Sequence, residues 1–114
     1  MVYISVDIEA SGPFPGQYGL VSIGAVPVIR RDGSWRIDRD REFYSEVQPQ
    51  SGAGILDEAM AVHGLSLSHL EEHGLPLAEV LKAFHSYFDT FETNGRKPLL
   101  AAWPASFDGP FISW

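Results

Sequence analysis

The sequence predicts an α/β fold: a mixed sheet of three antiparallel strands and a parallel fourth, with helices packed against it. Three observations carry this. The first half of the chain alternates apolar and polar residues with the period of two that strands show; residues 54–92 change to helical spacing; and a short apolar segment, PLLAAW, follows the longest helix.

The first strand is VYISVDIEA, in which Val2, Ile4, Val6 and Ile8 alternate with Tyr3, Ser5, Asp7 and Glu9. SGPFPGQYG then forms a turn-rich loop, and LVSIGAVPVI reads as the second strand. Pro27 has no N–H for a ladder, so this strand is expected to fray or bulge near its end. Arg31-Asp32-Gly33 signals a tight turn into a third strand, strongest over EFYSEVQ, where Phe43, Ser45 and Val47 share a face.

From Gly54 the pattern is helical. ILDEAMAVHG ends with Gly64 as its cap, and SLSHLEEHG is a short helix closed by Gly74. The clearest helix is PLAEVLKAFHSYFDTFE: Pro76 suits its first turn, and Leu77, Val80, Leu81, Phe84, Tyr87, Phe88 and Phe91 trace one apolar stripe for the sheet. A helical connection of this length returns PLLAAW parallel to a strand already laid down, and SFDGPFISW begins a further helix.

The totals bound function. A chain of 114 residues, 45% hydrophobic, suits one domain spanning 1–114. No basic leader or long apolar run is present, so the expectation is a cytoplasmic protein with no membrane partner. The absence of cysteine removes disulfides, thiolate nucleophiles and sulfur-ligated zinc, leaving carboxylates and imidazoles as metal ligands and favouring hard cations. A net charge of −7 argues against holding nucleic acid through a broad basic surface, though not against acting on a strand end. Arg30, Arg31, Arg36, Arg39 and Arg41 crowd one stretch, interleaved with Asp32, Asp38 and Asp40.

Asp7 and Glu9 are the anomaly. Strand geometry points them the same way about 7 Å apart, where an effective dielectric near 20 gives roughly 2 kcal/mol of repulsion. If the fourth strand lies beside the first, the turn after it brings Asp108 to the same place, and no lysine or arginine is close in sequence to neutralise three carboxylates. Two divalent ions would, and such a pair serves in-line displacement at phosphorus by activating a water and steadying charge on the departing oxygen.

The chain resembles the DEDD superfamily of 3′-to-5′ exonucleases, which have a ribonuclease-H-like fold. The likeness rests on Asp7-Ile8-Glu9 followed by Ala10-Ser11-Gly12, on Ser22-Ile23-Gly24-Ala25-Val26, on Phe43-Tyr44-Ser45-Glu46-Val47-Gln48-Pro49, on Ala61-Val62-His63-Gly64-Leu65-Ser66, and on Leu100 through Phe107-Asp108. It implies that Asp7, Glu9 and Asp108 are catalytic and bind two Mg²⁺ or Mn²⁺ ions. It also implies that Ala10, Ser11, Gly12 and Phe107 lie against the 3′-terminal nucleotide of single-stranded DNA or RNA. Ala10 and Pro104 stand where the family often has threonine and asparagine.

The family's third motif, a histidine base followed by a fourth aspartate ligand, belongs beyond Trp114. The resemblance therefore implies a domain incomplete at its C-terminus, truncated before the last strand and helix and weak or inactive alone. The apolar surface bared there leaves room for a homodimer. His85 and Asp89 have the look of that third motif, but their spacing is one residue short and they precede Asp108, so His85 reads as a helix-surface residue. His63 reads as structural, His69 and His73 as a solvated face, and Phe14 and Tyr18 as loop packing or base-stacking groups. Two other readings remain open: a non-catalytic ribonuclease-H-like module binding nucleic acid or protein, and a carboxylate pair working as general acid and base, as in glycoside hydrolysis.

Overall fold

The computed structural model describes residues 2–15 and 17–102. Within them lie five strands, β1 (Val2–Ala10), β2 (Leu20–Arg31), β3 (Ser34–Ile37), β4 (Phe43–Glu46) and β5 (Leu99–Ala102), and three α-helices, α1 (Asp57–His63), α2 (Leu67–His73) and α3 (Leu77–Asp89). The sheet order is β3-β2-β1-β5, with β4 also paired to β2. β1 and β2 are antiparallel, and β5 runs parallel to β1, so the mixed sheet has the expected topology.

The expected third strand is two pieces. β3 pairs with residues 28–31 of β2 and β4 with residues 22–25, separated by a 3-10 turn over Arg39–Arg41. Pro27 sits opposite that interruption, and its carbonyl accepts from the Asp38 N–H at 2.9 Å. A strand residue's N and C=O point to the same side, so the missing N–H faces the break in the outer strand. β2 therefore runs through Pro27 without the expected fraying, in register with β1. Beyond it, Asp32 and Gly33 both take positive φ (51° and 78°), the geometry a two-residue hairpin turn requires. The interleaved acids of the arginine cluster engage two of its members: Arg41 Nε lies 2.8 Å from Asp38 Oδ2, and Arg39 lies 3.4 Å from Glu42.

The core forms on one face of the sheet. Ile4, Val6 and Ile8 of β1 and Ile23 and Ala25 of β2 are buried against Val80, Phe84 and Phe91, with Leu77, Leu81, Tyr87 and Phe88 packed around them, so the predicted stripe is the buried one. Phe43 meets Phe84 edge-on at 5.7 Å, and Tyr87 donates to the Arg41 carbonyl at 2.8 Å. α3 stops at Asp89, short of the predicted 92, because Thr90 closes the last turn with its hydroxyl on the Tyr87 carbonyl (2.6 Å). Phe91 still reaches the core, and an Asn94-Gly95 turn sends the chain into β5. α1 ends as expected: Gly64 is left-handed (φ 72°), and its N–H bonds the Met60 carbonyl. Trp103, Pro104, Phe107, Asp108 and the helix expected over SFDGPFISW lie outside the described residues. No described helix is long and apolar enough to cross a membrane.

Candidate active site

Because Ile8 is buried in the core, its neighbours Asp7 and Glu9 emerge on the opposite, open face of the sheet. Register places Asp7, Gly24 and Tyr44 in one row across β1, β2 and β4, and Glu9, Ser22 and Glu46 in the next. Past Glu9 the pairing slips, Ala10 meeting Leu20 and leaving Val21 as the extra residue, a bulge at the end of the acid-bearing segment.

A cleft of about 410 Å³ opens at these rows, lined by Asp7, Glu9, Ser22, Gly24 and Tyr44 and by Val62, His63 and Leu65 at and just past the end of α1. A second cleft of about 460 Å³ adjoins it across Glu9, walled by Ala10, Gly12, Pro13, Leu56 and Val62. Among the described residues neither Asp7 nor Glu9 forms a salt bridge. Burial holds the Glu9 carboxyl above the usual carboxylate range; Asp7 adds to this, and His63 opposes it.

A raised carboxyl in the folded state favours the protonated form, so ionised Glu9 destabilises the metal-free fold at neutral pH. That penalty fades as pH falls through the raised value towards 4.5. Glu9→Gln is accordingly expected to raise the metal-free melting temperature by a few degrees at pH 7. The gain should vanish near pH 4, a difference that paired thermal melts across pH would read.

Ser11 does not present its hydroxyl to the clefts. Its Oγ donates to the Gly54 carbonyl (2.7 Å) and accepts from the Gly19 N–H (2.8 Å), while its backbone N–H bonds Gly19 O (2.9 Å) and its carbonyl takes the Leu56 N–H (2.8 Å). Every polar group of Ser11 is engaged internally. It fastens the end of β1 to the start of β2 and the approach to α1, while Ala10 and Gly12 line the second cleft.

The histidines separate by position. His85 is exposed on α3, the helix packed against the core face, and is absent from the cleft. His63, read from sequence as structural, is partly so: its Nδ1 accepts from the Leu65 N–H at 3.0 Å, which places the ring proton on Nε2. That Nε2 is buried and has no hydrogen-bond partner among the described residues, while the ring lines the acid-bearing cleft. A buried orphan donor costs about 1–3 kcal/mol unless something accepts from it. His69 is not merely solvated. Its Nε2 lies 2.6 Å from Glu46 Oε1, the His73 ring packs against it tilted by 42° at 4.8 Å, and Glu46 Oε2 accepts from the Tyr44 hydroxyl at 2.6 Å. Those bonds from Tyr44 and then His69 hold the Glu46 carboxyl below its usual range. Desolvation first, and Glu46 second, push the Tyr44 hydroxyl up to about 12.

No family model matches the chain. Over 113 residues, 99% of its length, it is 30% identical to the 3′-5′ DNA exonuclease Cap18 of Escherichia coli, of which it covers 56%. The chain resembles a portion of a DEDD exonuclease. It spans about half the length of that curated relative. Among solved structures, E. coli exonuclease I in complex with a 5cy-dA13 oligonucleotide aligns at a TM-score of 0.80 and 15% identity, over 97% of this chain and 22% of that one. The zinc-ion-bound form of the E. coli exonuclease I–single-stranded DNA complex aligns at 0.76 and 13% identity, over 97% and 22%. At these identities the structural likeness establishes the fold alone, the mixed-sheet fold of exonuclease I.

The donor set suits hard cations in part. Two carboxylates lie on one face with a side-chain-free Gly24 beside them and, among the described residues, no ammonium or guanidinium lining the cleft. The third expected ligand, Asp108, falls outside the described residues, and among those described no group of three metal-ligating side chains occurs.

Proposed function

We propose that the chain carries the acid-pair portion of a metal-dependent 3′-to-5′ exonuclease that acts on single-stranded DNA or RNA and releases nucleoside 5′-monophosphates. The observation that carries this reading is the paired Asp7 and Glu9, unneutralised on the open face, one of them held above its ordinary pKa beside a cleft. Asp7, Glu9 and Asp108 would hold two divalent cations, Mg²⁺ or Mn²⁺, which supply Lewis acidity for phosphodiester hydrolysis.

The remaining residues bind and orient. Ala10 and Gly12 would lie against the terminal nucleotide where the two clefts adjoin at Glu9, Ser11 keeps that wall rigid, and Phe107 would contact the same nucleotide. His63 Nε2–H offers a donor to an oxygen entering the cleft. His85, on the core-side helix, takes no part as a base.

A 5′-labelled single-stranded oligonucleotide incubated with Mn²⁺ tests the reading. Stepwise shortening from the 3′ end, mononucleotide products and abolition by chelator are expected. Internal cuts, or cleavage that survives chelation, would overturn it. Failure to bind Mn²⁺ would favour the non-catalytic module instead.

A further inference from the structure

The proposed nuclease site has one wall that neither the acid pair nor the residues after it account for. Tyr44 stands in the Asp7 row, separated from Asp7 only by Gly24. A methyl group at Gly24 would lie 3.8 Å from the Asp7 carbonyl and 3.9 Å from Tyr44 Cδ1, so the ring flanks the empty space that glycine leaves beside the acids. Tyr44 is 62% exposed. The same cleft is lined by Val62, 81% exposed, and by half-buried Leu65. An exposed ring and an exposed aliphatic side chain lining one cleft together with two carboxylates suit a flat apolar group that carries a phosphate.

The ring is held as well as exposed. Its hydroxyl is bound by Glu46 Oε2 at 2.6 Å, and the other Glu46 oxygen is bound by His69 Nε2 at 2.6 Å, so β4 and α2 together fix the ring's direction. An ordinary surface tyrosine has no need of two successive braces; a stacking platform does, since ordering the ring beforehand lowers the entropy lost on binding.

We propose that Tyr44 is a substrate-contacting residue that stacks on the base of the 3′-terminal nucleotide, with Glu46 and His69 as positioning residues for its ring. The proposal rests on the nuclease reading above and adds to it the group recognised: the base, independent of its identity.

The test is binding without turnover, by fluorescence anisotropy with Ca²⁺ present, using a 5′-labelled ten-residue single-stranded DNA and the same strand ending in an abasic nucleotide. Tyr44→Ala is expected to weaken binding of the normal strand about 5- to 100-fold, the range lost with one base–aromatic stack. The wild-type chain should lose a similar factor on the abasic strand, while Tyr44→Ala should barely distinguish the two. Tyr44→Phe keeps the ring but loses its brace, and should weaken binding only about 2- to 10-fold. If Tyr44→Ala retains the full abasic penalty, or Tyr44→Phe binds as poorly as Tyr44→Ala, stacking is overturned while the nuclease reading stands. If the wild-type chain binds neither strand, both fall.

Discussion

Asp7→Asn/Glu9→Gln is expected to lose Mn²⁺ binding, measured by calorimetric titration, while folding at least as stably as the wild-type chain. Removing a mere outer partner of a metal ligand costs roughly 10- to 100-fold in affinity, so neutralising two ligands together should cost more than that upper figure. The two effects have opposite signs for one reason. The carboxylates repel each other across one residue of β1, and Glu9 is partly desolvated, so the fold tolerates them at a cost that only bound cations offset. Where activity can be measured, the loss in turnover should be on the order of 10³-fold or greater, since stabilising charge at the reacting phosphate is the largest single contribution expected from such a site. Unchanged Mn²⁺ affinity in the double variant would remove Asp7 and Glu9 from any metal centre and the nuclease reading with them.

That same tension is why the acid pair could be read from sequence. β1 alternates so regularly that its core face, Ile4, Val6 and Ile8, is fixed by period alone, and two acids on the other face of a central strand then demand an explanation. The α3 stripe and the parallel return of β5 beside β1 were equally legible, because each depends on spacing within one segment or on connection length. What sequence could not supply depends on partners far along the chain. The harmlessness of Pro27 follows from which way its nitrogen faces and from a gap between β3 and β4. The employment of Ser11 rests on Gly19, Gly54 and Leu56, and the brace on His69 rests on Glu46, 23 residues away. His63 showed only a helix-ending glycine after it; its orphaned Nε2 exists only once α1 lies against the cleft.

Gly74→Ala should be strongly destabilising, because the atoms an added methyl meets there are all backbone. Gly74 is extended (φ −72°), so its backbone conformation suits any residue; the constraint is space. An added Cβ would lie 2.6 Å from the Gln48 nitrogen, 2.6 Å from the Leu70 carbonyl oxygen and 2.7 Å from the Val47 carbonyl carbon, all backbone atoms that no rotamer change can move. The close approach exists because residue 75 bonds directly to the end of β4: the Leu75 N–H donates to the Glu46 carbonyl at 2.9 Å, and its carbonyl accepts from the Gln48 N–H at 2.8 Å. Inserting a methyl must separate α2 from β4 or distort both, an overpacking cost of about 1–3 kcal/mol or more. For a domain of this size each 1 kcal/mol lowers the melting temperature by about 4–8 °C, so the drop should be readily visible in a thermal melt. The functional consequence distinguishes this junction from ordinary packing. α2 carries His69 and β4 carries Glu46 and Tyr44, so parting them should release the Tyr44 ring before the chain unfolds. Gly74→Ala, assayed well below its own melting temperature, is therefore expected to bind single-stranded DNA more weakly while retaining Mn²⁺ affinity at Asp7 and Glu9. A variant that melts lower yet binds both ligands normally would show that the α2–β4 junction serves stability alone.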